Sequence, residues 1–513
     1  MLAKNSNVAV IGAGISSLSF TYFLSKIRPD LNFTIYEKSN HIGGYIKSEL
    51  YQFNGENIRF EKGPRTLRAA NDGTSIMCDI LIQLGLDDKI RVINKNSIAN
   101  KKYLLSSNNK LIEVPSNSIK SIWNFVKSEL GKGLFLNIIK EPFQPSKLIK
   151  DESVQSFLSR RFSNNSIGNN IVSAIYHGIY AADINKLSIR TTMPKLVKFE
   201  QDYGSIIKGI WKSKPEKKKK SIILQKYNEL FEPNYDIFQM NKFLQKFPMI
   251  LFENGLSTFT NGIYKELLSN PKISIKLNKH VEKIEINRNK DKIIINDKDS
   301  FDHLRSTINV NDLIKTFKSS PRLNSLGGNL TYVDIFLANI YLPKSFIKQN
   351  GFGFLVPLSN SNEENLLGVI YDSDIEKSSI QLFKNNQLDF DSKRNLKSIY
   401  NPQEYTKLTM MFGGHMFKSK IPNQDQLLLN LNKSLRKTLG IDLSIENHLI
   451  SSSYISQCLP QFNVGYNELS QNFQTELNNE FNGLISHGGM SFGNGAGVPD
   501  CVVNAFESAL KLK

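Results

Sequence analysis

At 513 residues the chain exceeds what a single hydrophobic core usually supports, so two or three structural units are expected. With 40% hydrophobic and 22% charged residues it is a globular protein, and no run of 18 or more apolar residues offers a bilayer-spanning helix. The net charge of +18 points either to an anionic partner, such as a lipid surface, nucleic acid or acidic small molecule, or to a Lys/Asn-rich compositional bias. In chain order, Val8-Ala-Val-Ile reads as a strand that runs into Gly12-Ala13-Gly14-Ile15-Ser16-Ser17 and then an amphipathic helix over 16–26. A second strand over 32–37 ends in Glu37-Lys38, followed by a loop over 39–68 and a helix over 74–84. Glycines after an apolar strand let backbone approach a pyrophosphate seated on the next helix's N-terminus, while a carboxylate about twenty residues on accepts from a ribose hydroxyl. The third glycine of that fingerprint is Ser17 here, small enough to keep helix and strand in contact.

Beyond this opening, 101–114 reads as a hairpin around Ser106-Ser-Asn-Asn109, and 116–250 as mostly helical and lysine-rich. Strands are expected at Ile273–Leu277, Val281–Ile286 and Lys292–Ile295, then strands alternating with turns over 301–450, and a glycine-rich loop and helix at the end. Met1 to Asn7 is too short and polar for a signal peptide, so any organelle address is expected to be internal or absent. Cys78, Cys458 and Cys501 are too few and scattered for a disulfide framework or a zinc site and read as buried thiols. Within the helical part, Ile122-Trp-Asn-Phe-Val126 and Leu130 to Ile139 interleave apolar residues with Lys120, Lys127, Lys132 and Lys140. Together with nine lysines in 195–220, this suits a helix lying in an anionic membrane surface; a solvated face over an ordinary core helix is the other reading. No recognised module accompanies the lysines, so nucleic acid is not expected.

The pair Gly43-Gly44 after Glu37 resembles the FAD-containing amine oxidase and desaturase superfamily, which implies FAD rather than NAD. More closely, Gly63-Pro64-Arg65-Thr66-Leu-Arg68 resembles the Gly-Pro-Arg-x-x-Arg segment of the protoporphyrinogen oxidase family. Further segments agree in family order: Tyr176-His-Gly178-Ile-Tyr180-Ala181-Ala-Asp183, Gly351-Phe-Gly353-Phe-Leu355-Val-Pro357, Leu367-Gly368-Val-Ile-Tyr371-Asp-Ser373, Met410-Met411-Phe-Gly413-Gly414, Leu459-Pro460-Gln461-Phe462-x-x-Gly465, and Gly489 through Cys501. The resemblance spans about 490 residues.

It implies an α/β (α+β) fold with a discontinuous Rossmann-like FAD-binding domain (1–97, 251–300 and 451–513), a mixed-sheet substrate domain (98–115 and 301–450) and a helical membrane-binding insertion (116–250). It implies six-electron oxidation of protoporphyrinogen IX by non-covalent FAD, with O2 as acceptor and H2O2 as by-product, and no metal. Since flavin N5 takes the hydride, the protein contributes orientation and a water-poor pocket, with no obligatory acid or base side chain. Cofactor contacts implied are Gly12 through Ser17 at the pyrophosphate, Glu37 and Lys38 at the adenosine, Gly43 and Gly44 in a further loop that wraps the cofactor, and Tyr45, Gly63, Pro64, Arg65 and Thr66 towards the flavin. Val281 is implied beside the adenine, and Met490, Ala496, Gly497 and Val498 at the flavin's N1/O2 edge. For the substrate, Leu355 and Met411 are implied as two apolar jaws on facing strands, Gly178 as part of the pocket, and Lys102 as propionate anchor where the family offers arginine. His177 also stands where arginine is frequent and reads as structural. The implied setting is the mitochondrial inner membrane, peripheral or monotopic, with a second copy of the chain and ferrochelatase as partners to test. The alternative is a flavin amine oxidase or carotenoid-type desaturase; Cys501, beyond the glycines, looks placed for packing rather than for flavin linkage.

Overall fold

The structure is a computed structural model that describes residues 2–116, 118–213, 221–233, 235–287, 291–317, 320–383, 404–417, 422–493 and 495–513. Lysines 214 and 217–220 therefore lie outside the described residues.

Asn7–Ile11 is the middle strand of a five-stranded parallel sheet, flanked by Asn32–Tyr36 and His303–Ser306, with Ile273–Lys276 and Ile485–His487 at the edges. Strands from both ends of the chain meet here, because an all-parallel sheet needs long crossover connections and cover on both faces. The helices Ile15–Ile27 and Val498–Lys511 cover one face side by side and run parallel. Ser16 lies against Cys501 near their starts, and Phe23 meets Phe506 a few turns on, with ring centroids 5.2 Å apart. Their N-termini consequently open at the same end as the strands' C-terminal ends.

The second large sheet has seven strands in the order Leu449–Pro460, Tyr332–Leu342, Thr406–Gly413, Leu366–Tyr371, Gly353–Leu355, Lys102–Leu105 and Leu111–Glu113. Period-two alternation sorts its residues by face. Leu408, Met410, Phe412, Phe354, Val369 and Tyr371 are buried on the outer face against Leu427, Leu431 and Leu435 of the helix Gln424–Leu439. That helix, and those at Val310–Lys315 and Pro321–Gly328, replace the strand-and-turn alternation expected for 301–450. A leucine repeat of helical period in Gln424–Leu439, with Asn423 capping Gln426 N, was the available signal. The strand expected from Val281 begins at Ile284.

Within the helical part from Ile119 to Leu244, a buried ion network joins the segments around Glu141, Arg161 and Glu200. Arg161 and Glu141, neither exposed, pair with one another, and Glu141 also accepts from Ile206 N at 2.9 Å and Ile207 N at 3.1 Å. Glu200 bridges Arg160 and Arg161. These contacts tie the segment Leu134–Phe143 to the start of the helix Ile206–Lys212. On these elements Trp123, Phe135, Leu136, Phe143 and Trp211 remain exposed, Trp211 to 88%.

Candidate functional site

Gly12 turns with φ of +94°, and Gly14 caps the first helix without any side-chain hydrogen bond. Gly43 N donates to Ala13 O at 2.8 Å, and a Cβ on Gly44 would stand 3.2 Å from Gly14 Cα, so the two glycine loops touch. The final helix likewise begins on a glycine, Gly497, with no side-chain cap other than Asp500 Oδ2 accepting from Gly497 N at 3.3 Å. Two positive helix ends thus face one crevice, presenting unsatisfied amides on glycine floors. This is the arrangement that an anionic diphosphate fills.

Glu37 closes one side. Its Oε2 accepts from Ala13 N at 2.7 Å and its Oε1 from Ser39 N and Oγ, both at 2.8 Å, leaving lone pairs for a ribose hydroxyl. Lys38 is exposed and reaches Asp312 at 3.8 Å. Val281 is 3% exposed on the segment after Ile273–Lys276, whose Lys279 N donates to Glu37 O. Met490 and Ala496 are half-buried on the last glycine loop, and Cys501 packs inside, its thiol pushed up to about 11 by burial.

Tyr45 and Gly63 meet so closely that a Cβ on Gly63 would strike Tyr45 O. Tyr45 O–H donates to Gln457 O at 3.3 Å, and burial pushes its phenol up to about 12. Pro64 and Thr66 are half-buried beside them. Arg65 is committed elsewhere than to a ligand: Nη1 donates to Asp372 Oδ1 at 2.6 Å and Nη2 to Gly63 O at 3.2 Å, with both charged side chains buried. Asp372 Oδ2 in turn accepts from Thr409 Oγ1 at 2.6 Å, and Asn339 Nδ2 joins Thr409 Oγ1 to Glu61 O. Arg65 therefore fastens its loop to the inner face of the seven-stranded sheet. Asp372 stands in the segment Leu367 to Ser373 without any hint of this partner, and nothing near Asn339 or Thr409 in the sequence signals their roles, since their partners are remote in the chain.

On that inner face one register row reads Leu104, Leu355, Gly368, Met411, Leu337. Leu355 and Met411 are half-buried, and they stand on strands of one sheet, either side of Gly368, rather than on facing strands. Their separation is two strand spacings, about 9.5 Å. Gly368 lacks a side chain between them and is buried, with Leu355 Cδ2 leaning over it, so the trough in this row is partly filled by Leu355. Gly178, on the helix Ser173–Tyr180, closes on Leu355: a Cβ there would lie 2.9 Å from Leu355 Cδ2. Lys102 is exposed on the same face, in register with Gly353, one row along. His177 is not alone. Its Nδ1 lies 2.6 Å from Val356 O and its Nε2 lies 2.8 Å from His415 Nε2, so Nδ1 carries the hydrogen and His415 donates to Nε2. Burial, helped by His415, pushes His177 down to about 4. His177 clips its helix to both strands that carry the trough.

The parallel sheet, two helix ends that begin on glycine, the Glu37 carboxylate and the adjoining apolar row define a dinucleotide-dependent oxidoreductase whose cradles fit FAD. A family model for flavin containing amine oxidoreductase matches residues 26–387. The protoporphyrinogen oxidase of Saccharomyces cerevisiae is 35% identical, with 100% of this chain and 98% of that protein covered. That of Schizosaccharomyces pombe is 29% identical over 99% and 98% respectively. A candidate protoporphyrinogen oxidase from Exiguobacterium, solved by crystallography, superposes with a TM-score of 0.71 at 18% identity, covering 100% of this chain and 99% of its own. The chain belongs to the flavin amine oxidoreductases and, within them, to the protoporphyrinogen oxidase family. It is an FAD-dependent oxidoreductase.

Proposed function

We propose that the protein oxidises protoporphyrinogen IX to protoporphyrin IX, a six-electron step late in haem synthesis, with O2 as acceptor and H2O2 released. The observation that supports the substrate class is the apolar row of Leu355, Gly368 and Met411 on the inner sheet face, linked to the cofactor loops through Thr409, Asp372 and Arg65. Bound FAD supplies the hydride acceptor. The loop Gly12 to Ser17, with Gly43 and Gly44 against it, would hold its diphosphate, Glu37 and Lys38 its adenosine with Val281 alongside, and Tyr45, Gly63, Pro64 and Thr66 would border the ring on a loop that Arg65 anchors. Met490 and the Ala496 to Val498 amides address the ring's electron-rich edge. Leu355 and Met411 bear on the macrocycle, Gly178 keeps the helix close enough to exclude water, and Lys102 meets a propionate as a point charge.

No titratable side chain is needed at the reacting carbon; burial keeps His177 neutral and Arg65 is paired with Asp372. An aerobic assay with protoporphyrinogen IX, following porphyrin fluorescence above autoxidation, tests the reading. FAD-loaded protein giving no rise would return it to the amine oxidase alternative.

The protein is further proposed to lie on the mitochondrial inner membrane, without spanning it, and to meet ferrochelatase and a second copy of itself there. Among the described residues no helix is long and apolar enough to cross a bilayer. The exposed aromatic and aliphatic side chains of 119–148 and 206–211, flanked by lysines, suit an anionic surface. Both tryptophans of the chain, Trp123 and Trp211, are exposed there, so cardiolipin-containing vesicles should shift the intrinsic fluorescence to the blue, reversibly with salt. An unchanged spectrum with vesicles rules this out.

A further inference from the structure

Thr307, directly after the strand His303–Ser306, touches three parts of the crevice at once. Its N–H donates to Ile11 O at 3.1 Å, and its Oγ1 lies 3.3 Å from the same oxygen. Oγ1 also lies 2.5 Å from Ser17 Oγ, which is 3.5 Å from Ile11 O. Thr307 is the nearer donor to Ile11 O, so the hydroxyls run as a chain: Ser17 O–H to Thr307 Oγ1, and Thr307 O–H to Ile11 O. On its other side, a Cβ on Gly489 would stand 2.9 Å from Thr307 O, and a Cβ on Gly12 would stand 3.3 Å from Thr307 Oγ1. The first and last glycine loops thus close on one residue. Ser17 is fully buried, so water cannot replace its partner.

We propose that the Ser17–Thr307 hydroxyl pair is a positioning device for FAD, replacing the loose fit of a third glycine with a directed hydrogen bond. It fixes the Ile11–Gly12 peptide against the Gly489 loop, so that the amides at both helix starts address one ligand in one geometry. The two residues act through these loops and are not catalytic. The inference rests on the placement of FAD in this crevice given above.

Apo-protein titrated with FAD, followed by quenching of flavin fluorescence, tests it alongside thermal melts. Thr307→Ser should bind within about twofold of wild type, and Thr307→Val about tenfold more weakly, because Ser17 keeps a buried hydroxyl without its partner. Ser17→Gly combined with Thr307→Val should recover most of that loss, since both partners are then gone. Should Thr307→Val fail to fold, Ser17→Ala gives the same reading, with binding weakened about threefold at an unchanged melting temperature. Unaltered FAD affinity in the single variants, or strictly additive losses in the double, overturns the proposal. Gly14→Val, measured in parallel, separates the two ideas. If it leaves FAD affinity intact, the crevice is wrong; if it abolishes binding while the Thr307 series is flat, only the hydroxyl pair is wrong.

Discussion

Gly368→Val puts the trough itself to the test. A Cβ at Gly368 would lie 2.7 Å from Leu355 Cδ2 and 2.8 Å from Phe354 O, so the Leu355 side chain and its strand must shift away from Met411. A macrocycle resting on both would lose its fit to Leu355 and Met411 together. Full burial of a Leu or Met side chain is worth about 1.5–3 kcal/mol, and each is already half-buried, so about 1 kcal/mol is lost at each, or about 2 kcal/mol in all. At 1.36 kcal/mol per decade that is about a 30-fold fall in kcat/KM. The assay is initial rate against protoporphyrinogen IX, with FAD content from the visible spectrum of the same preparation. FAD content should change little, because the atoms a side chain at Gly368 would meet belong to Phe354 and Leu355 and to none of the glycine loops. A variant whose kcat/KM stays within about threefold of wild type at full FAD occupancy would refute the seat over Gly368.

Asp372→Ala leaves Arg65 buried without its counter-charge, and a loss of about 3–5 kcal/mol is expected as a lowered melting temperature with weakened FAD retention. Asp372→Asn keeps the acceptor oxygen and should lose less; equal losses would show that the charge is immaterial. Lys102→Glu should raise KM by several-fold, less so at high salt, with FAD content intact, since Lys102 is exposed. Equal loss of FAD would make Lys102 structural.

Glu61 and His177 give opposed pH slopes. Burial outweighs Ser48 and the Arg65 charge and raises Glu61 to about 7, so its contribution to stability is full below about 4.5 and lost as pH climbs to 7. His177, pushed down to about 4, contributes fully above about 6.5 and loses it as pH falls towards 4. Each is worth up to about 3 kcal/mol by linkage. Glu61→Gln should therefore gain stability over wild type as pH rises from 5 to 7, read from urea midpoints; a pH-independent difference would contradict the raised pKa.

The fold was legible where a local pattern has a local cause. Gly12, Gly14, Gly43 and Glu37 announce a nucleotide crevice because each does its work through its own backbone turn or strand end. Leu355 and Met411 could be picked out by resemblance, but their being neighbours across Gly368 needed the strand order, which no residue spacing encodes. The same holds for Arg65: a guanidinium beside a Gly-Pro turn reads as a ligand contact, and only the pairing with Asp372, 307 residues on, turns it into an anchor. His177 reads as solitary until His415 is brought 2.8 Å from it. Ser17 reads as a flaw in a glycine motif, and the fold supplies its reason in Thr307, a residue with no motif of its own.

The distribution of charge then fits the chemistry proposed. The excess of +18 lies on a chain whose interior near the trough is held neutral: His177 resists protonation, Tyr45 resists ionisation, and Arg65 is matched by Asp372. Hydride removal from an apolar macrocycle gains nothing from a fixed charge at the reacting carbon, and a stray buried charge would cost more to desolvate than it could return. Cations are useful at the rim, where Lys102 stays in water and can meet a carboxylate without desolvation, and on the outer surface beside Trp123 and Trp211. A lysine moved inward should therefore be harmful in a way that one moved along the rim is not. Met411→Lys should abolish turnover, whereas Lys101→Ala, one residue from Lys102 and already paired loosely with Glu113 at 4.0 Å, should leave it near wild type. Retention of activity by Met411→Lys would mean that the substrate does not sit on this row.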